Sequence, residues 1–379
     1  MTKNKKFIAV YYPQFYSIEE NDKAWGEGFT DWERIKAAKP LFEGHYQPRI
    51  PLNLNYYDQS QKNTISEQVK LALEYGVYGF CFYHYWFDGK LLLEKPMENF
   101  LENKNLNIKF CISWANETWS KRWVGQPNYI IQQQTHKPDK AIWKMHFDYL
   151  LQFFLDERYI RIANKPIFII YQTDIINQLP EMIDYWNSLA IQSGLGGIFF
   201  IATKRHKKTS SDIVRKFDGI MKYQPQEAFN SYKTSERSSF SRLLSNLSFY
   251  FPEKARNWVA LFADKRKGIS KPNSAIVWKS IIENAFRVPE GFNAKIFESI
   301  FVNWDNSPRY NNKANVFSFV TPEEFGNYLK QMLSKMDEFD AEYLFINAWN
   351  EWAEGAYLEP DTKYKFDYLK VLLNSIENE

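Results

Sequence analysis

A chain of 379 residues is long enough for one large α/β barrel or for two smaller domains. Its 48 Lys and Arg nearly balance 45 Asp and Glu, so a formal net charge of +3 offers no global field for nucleic acid. Two Cys and five His without a four-ligand spacing exclude a structural zinc, and neither G-x-x-x-x-G-K nor G-x-G-x-x-G is present; no cofactor is implied.

From the N-terminus the chain passes directly into Phe7-Ile-Ala-Val10, too short for the apolar core of a signal peptide, and no run of about 18 apolar residues follows. A cytoplasmic protein is expected. Eight short runs rich in Ile, Val and Phe then recur: Phe7 to Val10, Gly79 to Phe82, Ile108 to Ile112, Ile167 to Ile170, Ile198 to Ile201, Phe217 to Met221, Ile296 to Val302 and Tyr343 to Ile346. Cys81 and Cys111 lie inside two of them, where a thiol behaves as a small hydrophobe. Amphipathic helical patterns separate most runs, and Thr321-Pro-Glu-Glu324 spells an N-cap, a first-turn Pro and a capping Glu. Eight strands with crossover helices predict one (β/α)8 TIM-type barrel over residues 1–379.

Two connections are long. Residues 15–63 follow the first run onto the face where barrel active sites sit, and predict a wall of the cleft. Residues 226–293 predict a helical insertion between strands 6 and 7. Within it, positions 233–279 hold ten Lys or Arg against three acids, a solvated basic face or a contact for a peripheral membrane surface or anionic polymer.

Polar and aromatic residues crowd the ends of the runs. They supply candidate sugar contacts at Tyr11, Tyr83, His84, Trp86, Trp114, Asn116, Glu117, Tyr171, Trp304 and Asp305, with Asp174 and Arg309 as further polar groups. The last exit carries the strongest signal: Asn347-Ala-Trp-Asn-Glu-Trp-Ala-Glu-Gly-Ala-Tyr357 places Glu351 and Glu354 three residues apart beside Trp349, Asn350, Trp352 and Tyr357. Two such carboxylates suit acid and base work on a glycosidic bond, and flat rings suit pyranoses. A Glu pair on a solvated turn beside core aromatics is the plain alternative. Glu117 is a rival partner, because carboxylates across a barrel mouth can span the ~5 to 9.5 Å of conventional glycosidases.

Tyr11-Tyr-Pro-Gln-Phe15, Trp25-Gly-x-Gly-Phe-Thr-Asp-Trp32, Gly79-Phe-Cys-Phe-Tyr-His-Tyr-Trp-Phe87, Ser113-Trp-Ala-Asn-Glu117 and Trp349-Asn-Glu-Trp-Ala-Glu-Gly355 together resemble the WbsX-type proteins of bacterial polysaccharide loci. Those proteins are similar to glycoside hydrolase family 99, endo-α-mannosidases and endo-mannanases with a (β/α)8 barrel. The resemblance implies an endo-acting, retaining enzyme on a cell-surface oligosaccharide or polysaccharide, of O-antigen or capsule type. In that family one Glu is base toward the sugar 2-hydroxyl, whose oxygen attacks C1, and a second protonates the leaving oxygen; Glu351 and Glu354 stand at the matching positions. Ala353 replaces a polar residue often found in the family motif, and the basic insertion has no counterpart there. Polysaccharide-assembly glycosyltransferase or transglycosylase activity, and a non-catalytic carbohydrate-binding barrel, are the alternatives. A nucleotide-sugar transferase commonly needs an acidic D-x-D triplet, and none stands at a strand exit.

Overall fold

A computed structural model describes residues 5–121, 126–204, 216–229, 268–288, 294–317 and 320–377. Eight parallel strands form the barrel: β1 (Lys6–Tyr11), β2 (Gly79–Phe87), β3 (Lys109–Trp114), β4 (Lys165–Ile170), β5 (Phe199–Lys204), β6 (Gly219–Lys222), β7 (Lys295–Phe301) and β8 (Tyr343–Asn347). Each pairs with its sequence neighbour, and β1 pairs with both β2 (Ile8↔Gly79) and β8 (Lys6↔Tyr343), which closes the sheet. Every apolar run named above overlaps one of these strands. They read as continuous apolar stretches because helices cover one face and the barrel interior the other.

Among the described residues the helices include α1 (Glu19–Trp25), α2 (Asp31–Ala37), α3 (Lys62–Glu74), α4 (Lys95–Glu102), α5 (Lys140–Phe154), α6 (Leu179–Gln192), α7 (Ser274–Glu283), α8 (Ser307–Tyr310), α9 (Pro322–Glu338) and α10 (Asp367–Glu377). The capping box forms at α9: the Thr321 hydroxyl accepts from Glu324 N at 3.2 Å, and Glu324 Oε2 accepts from Thr321 N at 2.9 Å. Cys81 and Cys111 are buried free thiols facing one another in register on β2 and β3.

The connection after β1 is an ordered wall containing α1 and α2. Gln59 ties it down, its Oε1 accepting from Phe15 N and its Nε2 donating to Tyr12 O, both at 2.8 Å. Phe15, Trp32, Trp352 and Tyr357 then pack as one buried cluster, so the wall and the turn after β8 share a core. The basic segment lies largely outside the described residues, at 230–267. Its described end includes α7, where Trp278 stacks on Phe301 of β7 and on Tyr328 of α9 at 4.9 and 4.7 Å.

Candidate active site

Beyond β8 the chain makes a tight hairpin: Asn350–Glu351 pairs antiparallel with Ala356–Tyr357, and Trp352–Glu354 forms one 3-10 turn between them. Gly355 ends that turn at φ +65°, and a Cβ there would lie 3.0 Å from both the Arg49 guanidinium and Asp305 N. Only glycine suits that combination of backbone and space. Asp305 N donates to Glu354 O at 2.7 Å, fixing the turn to the exit of β7. Glu351 is thereby held deep, its side chain 7% exposed, while Glu354 stands nearer the opening at 20%.

One guanidinium bridges the pair. Arg309, on α8, places Nη2 2.7 Å from Glu351 Oε1 and Nη1 2.8 Å from Glu354 Oε1. The same Nη2 donates to Asp31 Oδ2 at 2.7 Å and to the Tyr12 hydroxyl at 2.8 Å. Three carboxylates therefore converge on one buried cation. Burial pushes the Glu351 pKa well up; Arg309 opposes the shift, whereas Glu354 and Asp31 add to it. Despite its own burial Arg309 stays charged, held up by Tyr12 and these acids. Burial together with the neighbouring acids therefore favours the protonated form of Glu351, against the pull of Arg309. In the free protein burial favours a proton on Glu351, whereas the resemblance implies that Glu354, as the acid, carries one.

Tyrosines floor the mouth. Tyr83 from β2 donates its hydroxyl to the Tyr223 hydroxyl, just past β6 on the opposite side of the barrel, at 2.7 Å. Tyr171, past β4, packs edge-on against both, at ring distances of 6.0 and 5.6 Å. Of the aromatics expected to meet a sugar, Tyr83 and Tyr171 are these half-buried floor residues. Tyr12 and Asp31 lie inside motifs quoted above without being candidate contacts, Tyr223 follows the sixth apolar run without being one, and Arg309 is there only as a further polar group.

Several of the other expected contacts are buried in packing and backbone clamps. His84, Trp86 and Trp114 face α5: His84 shares a 2.8 Å hydrogen bond with His146, Trp86 stacks on His146 at 4.6 Å, and Trp114 Nε1 donates to Trp86 O at 3.2 Å. With no compensating charge, burial pulls the His84 pKa down to about 3. Tyr11 points to α3, its hydroxyl donating to Gln68 at 2.6 Å. Asn116 clamps the backbone of Gln172 through both amide atoms, at 2.7 and 2.8 Å, and Asn350 clamps Tyr12 likewise, at 2.9 and 2.8 Å.

Trp349 is fully buried against Phe80, 5.2 Å away, while Trp352 stacks on Tyr357 at 3.8 Å and donates Nε1 to Glu359 at 2.6 Å. Neither ring offers a face to solvent, and Tyr357 and Trp304 are also buried. Asp305 accepts from Gln47 at 2.7 Å and bonds His45 at 2.9 Å, joining the wall to β7; against its burial, His45, Arg49 and Ser307 bring its pKa down to about 2. Glu117 is half-buried beside the Asn116 clamp. Among the described residues, no group of His, Cys, Asp and Glu is arranged to hold a metal ion.

The protein is thus a closed parallel (β/α)8 barrel with a bridged Glu pair at the C-terminal end of its last strand. Two solved structures share that fold: the endo-α-mannosidase of glycoside hydrolase family 99 from Bacteroides thetaiotaomicron, at 15% identity and TM-score 0.57 over 98% of this chain and 96% of that one, and a glycoside hydrolase-like protein, at 11% and 0.58 over 99% and 94%. The chain belongs to the WbsX family, whose model, described as Glycosyltransferase WbsX, matches residues 7–372. It is 28% identical over 365 residues to the uncharacterized protein WxcX of two Xanthomonas campestris pv. campestris strains, covering 96% of this chain. It spans about half of those relatives, 48% of their length. No described helix is long and apolar enough to cross a membrane.

Proposed function

We propose that this chain is a retaining, endo-acting glycoside hydrolase of a bacterial cell-surface polysaccharide, using Glu351 and Glu354 with participation of the sugar 2-hydroxyl. The observation that carries the reading is the Arg309-bridged carboxylate pair, one member deep and one near the opening, over a tyrosine floor. Glu351 takes the 2-hydroxyl proton as O2 bonds to C1. The bond from C1 to the leaving oxygen breaks, and Glu354 supplies that oxygen with its proton. Water then adds to C1 as Glu354 takes its proton, the bond from O2 to C1 opens, and Glu351 returns a proton to O2. A raised pKa makes Glu351 a stronger base toward a hydroxyl than an ordinary carboxylate. Turnover requires a proton on Glu354, while Arg309 stabilises the ionised Glu351.

Glu351→Gln and Glu354→Gln are each expected to keep the thermal midpoint and lower turnover at least ~100-fold. The assay is cleavage of polysaccharide from the protein's own genetic locus. A substrate with a good leaving group should rescue only Glu354→Gln. Two active variants alongside an inactive Glu117→Gln would move the chemistry to the cross-barrel arrangement.

The family's description favours a second reading, transfer to a sugar hydroxyl in place of water. Elongated products, or consumption of nucleotide sugars run in parallel, would identify it.

A further inference from the structure

A groove of about 1150 Å3 lies beside the carboxylate site, between Trp25, Phe29 and Arg34 of the wall and Ser307, Pro308 and Asn311 around α8. Because α8 also carries Arg309, the groove and the candidate active site share a wall.

Arg34 is the unusual group there. Its half-buried guanidinium lies 4.2 Å from the Trp25 ring centroid and 5.2 Å from that of Phe29. Among the described residues it makes no hydrogen bond or ion pair, and its Nε is buried without a partner. Lys121 approaches the same indole at 4.7 Å and the Tyr129 ring at 4.1 Å, also without a carboxylate among the described residues. Neighbouring charges on the wall are matched: Lys36 reaches Glu33 at 3.4 Å, Lys23 pairs with Glu19, and Lys90 with Glu20. Glu27 and Lys39, which also line the groove, are exposed to solvent.

Of the acids in the lining, Glu33 is taken up by Lys36 and Glu27 is exposed, so the unpartnered Arg34 guanidinium is left as a receptor for an anion. Burial already pulls the Arg34 pKa down; Asp31 and Tyr12 counter it, while Arg309 adds to it. An arriving anion would relieve that imbalance. A planar guanidinium suits bidentate carboxylate or phosphate, and adjacent Trp and Phe edges suit the apolar side of a pyranose. We propose that this groove binds an anionic sugar residue of the polysaccharide, a uronate or a sugar phosphate, through Arg34. The proposal rests on the carbohydrate reading above and specifies its substrate as an acidic polymer.

The test follows indole 15N–1H signals, that of Trp25 assigned with Trp25→Phe, during titration with glucuronate, glucose 6-phosphate or glucose. At least one anionic sugar is expected to shift the Trp25 signal with saturation in the millimolar range, and glucose is not; the two anionic arms separate carboxylate from phosphate. Arg34→Gln should weaken that binding at least ~10-fold, and added salt should weaken it in the wild type. Equal responses to all three sugars, no response to either anion up to about 50 mM, or unchanged affinity in Arg34→Gln would overturn the proposal. Turnover is read separately. A failed titration on an active enzyme removes the groove alone, whereas a sound titration on an inert one removes the hydrolase reading alone.

Discussion

Two clusters built from the same short stretch of β2 have opposite fates. Tyr83 points into the mouth and meets Tyr223 across the barrel, while His84 and Trp86 point outward and disappear beneath α5 against His146. Adjacent residues on a strand face opposite sides, so four consecutive polar and aromatic residues divide between chemistry and scaffolding by parity alone. A polar aromatic at a barrel strand exit is thus a site candidate only with its facing settled.

The sharpest way to break the contrast is Arg309→Met. At the mouth it removes the one cation shared by Glu351, Glu354 and Asp31, leaving buried acids uncompensated. The expected cost is about 3–5 kcal/mol in chemical denaturation. Turnover should fall by at least ~100-fold under the proposed function. Stability within about 1 kcal/mol of wild type would mean that the acids take up protons without penalty.

Trp86→Ala probes the other cluster. It empties the space against His146 and should cost about 3–5 kcal/mol. Turnover per folded molecule should nevertheless stay near wild type, because Trp86 faces away from the mouth. A large fall in turnover with unchanged stability would return Trp86 to the substrate site.

Taken per pH unit, the smallest effect is that of titration. His84 and His146 are buried and neutral, with pKa values pulled below 6.5 by desolvation, His84 to about 3. The unfolded chain binds protons there that the folded chain refuses. Stability should therefore fall as pH drops from 6.5 towards 3, by about 1.4 kcal/mol per unit for each histidine. Glu359 acts in the opposite sense: burial lifts it to about 7, so between 4.5 and 7 the folded chain holds a proton that the unfolded chain has lost, and stability falls as pH rises. In denaturation curves, His84→Leu with His146→Leu should flatten the acid-side slope. If the slope persists, the titration belongs to other groups.

Much of the frame was legible. Every strand carries its own apolar run, and the α9 capping box is spelled within four residues, so local pattern sufficed. Glu351 and Glu354 were legible for the same reason, being three residues apart on one turn. The buried aromatics were misread as platforms because Trp349, Trp352 and Tyr357 stand beside those acids in sequence yet pack behind them. Strands covered on both faces lack the polar and apolar alternation that would have revealed which side each residue takes.

By itself, then, the sequence determined the eight strands, the helices between them and the carboxylate pair, all encoded by neighbours within a turn or a strand. Tertiary structure alone decided the partners. Asp31 lies 278 residues from Arg309, and Arg309 lies 42 from Glu351, yet closure of the barrel brings them within hydrogen-bond distance. Charge compensation in a buried site depends on distance through space, which local pattern does not record.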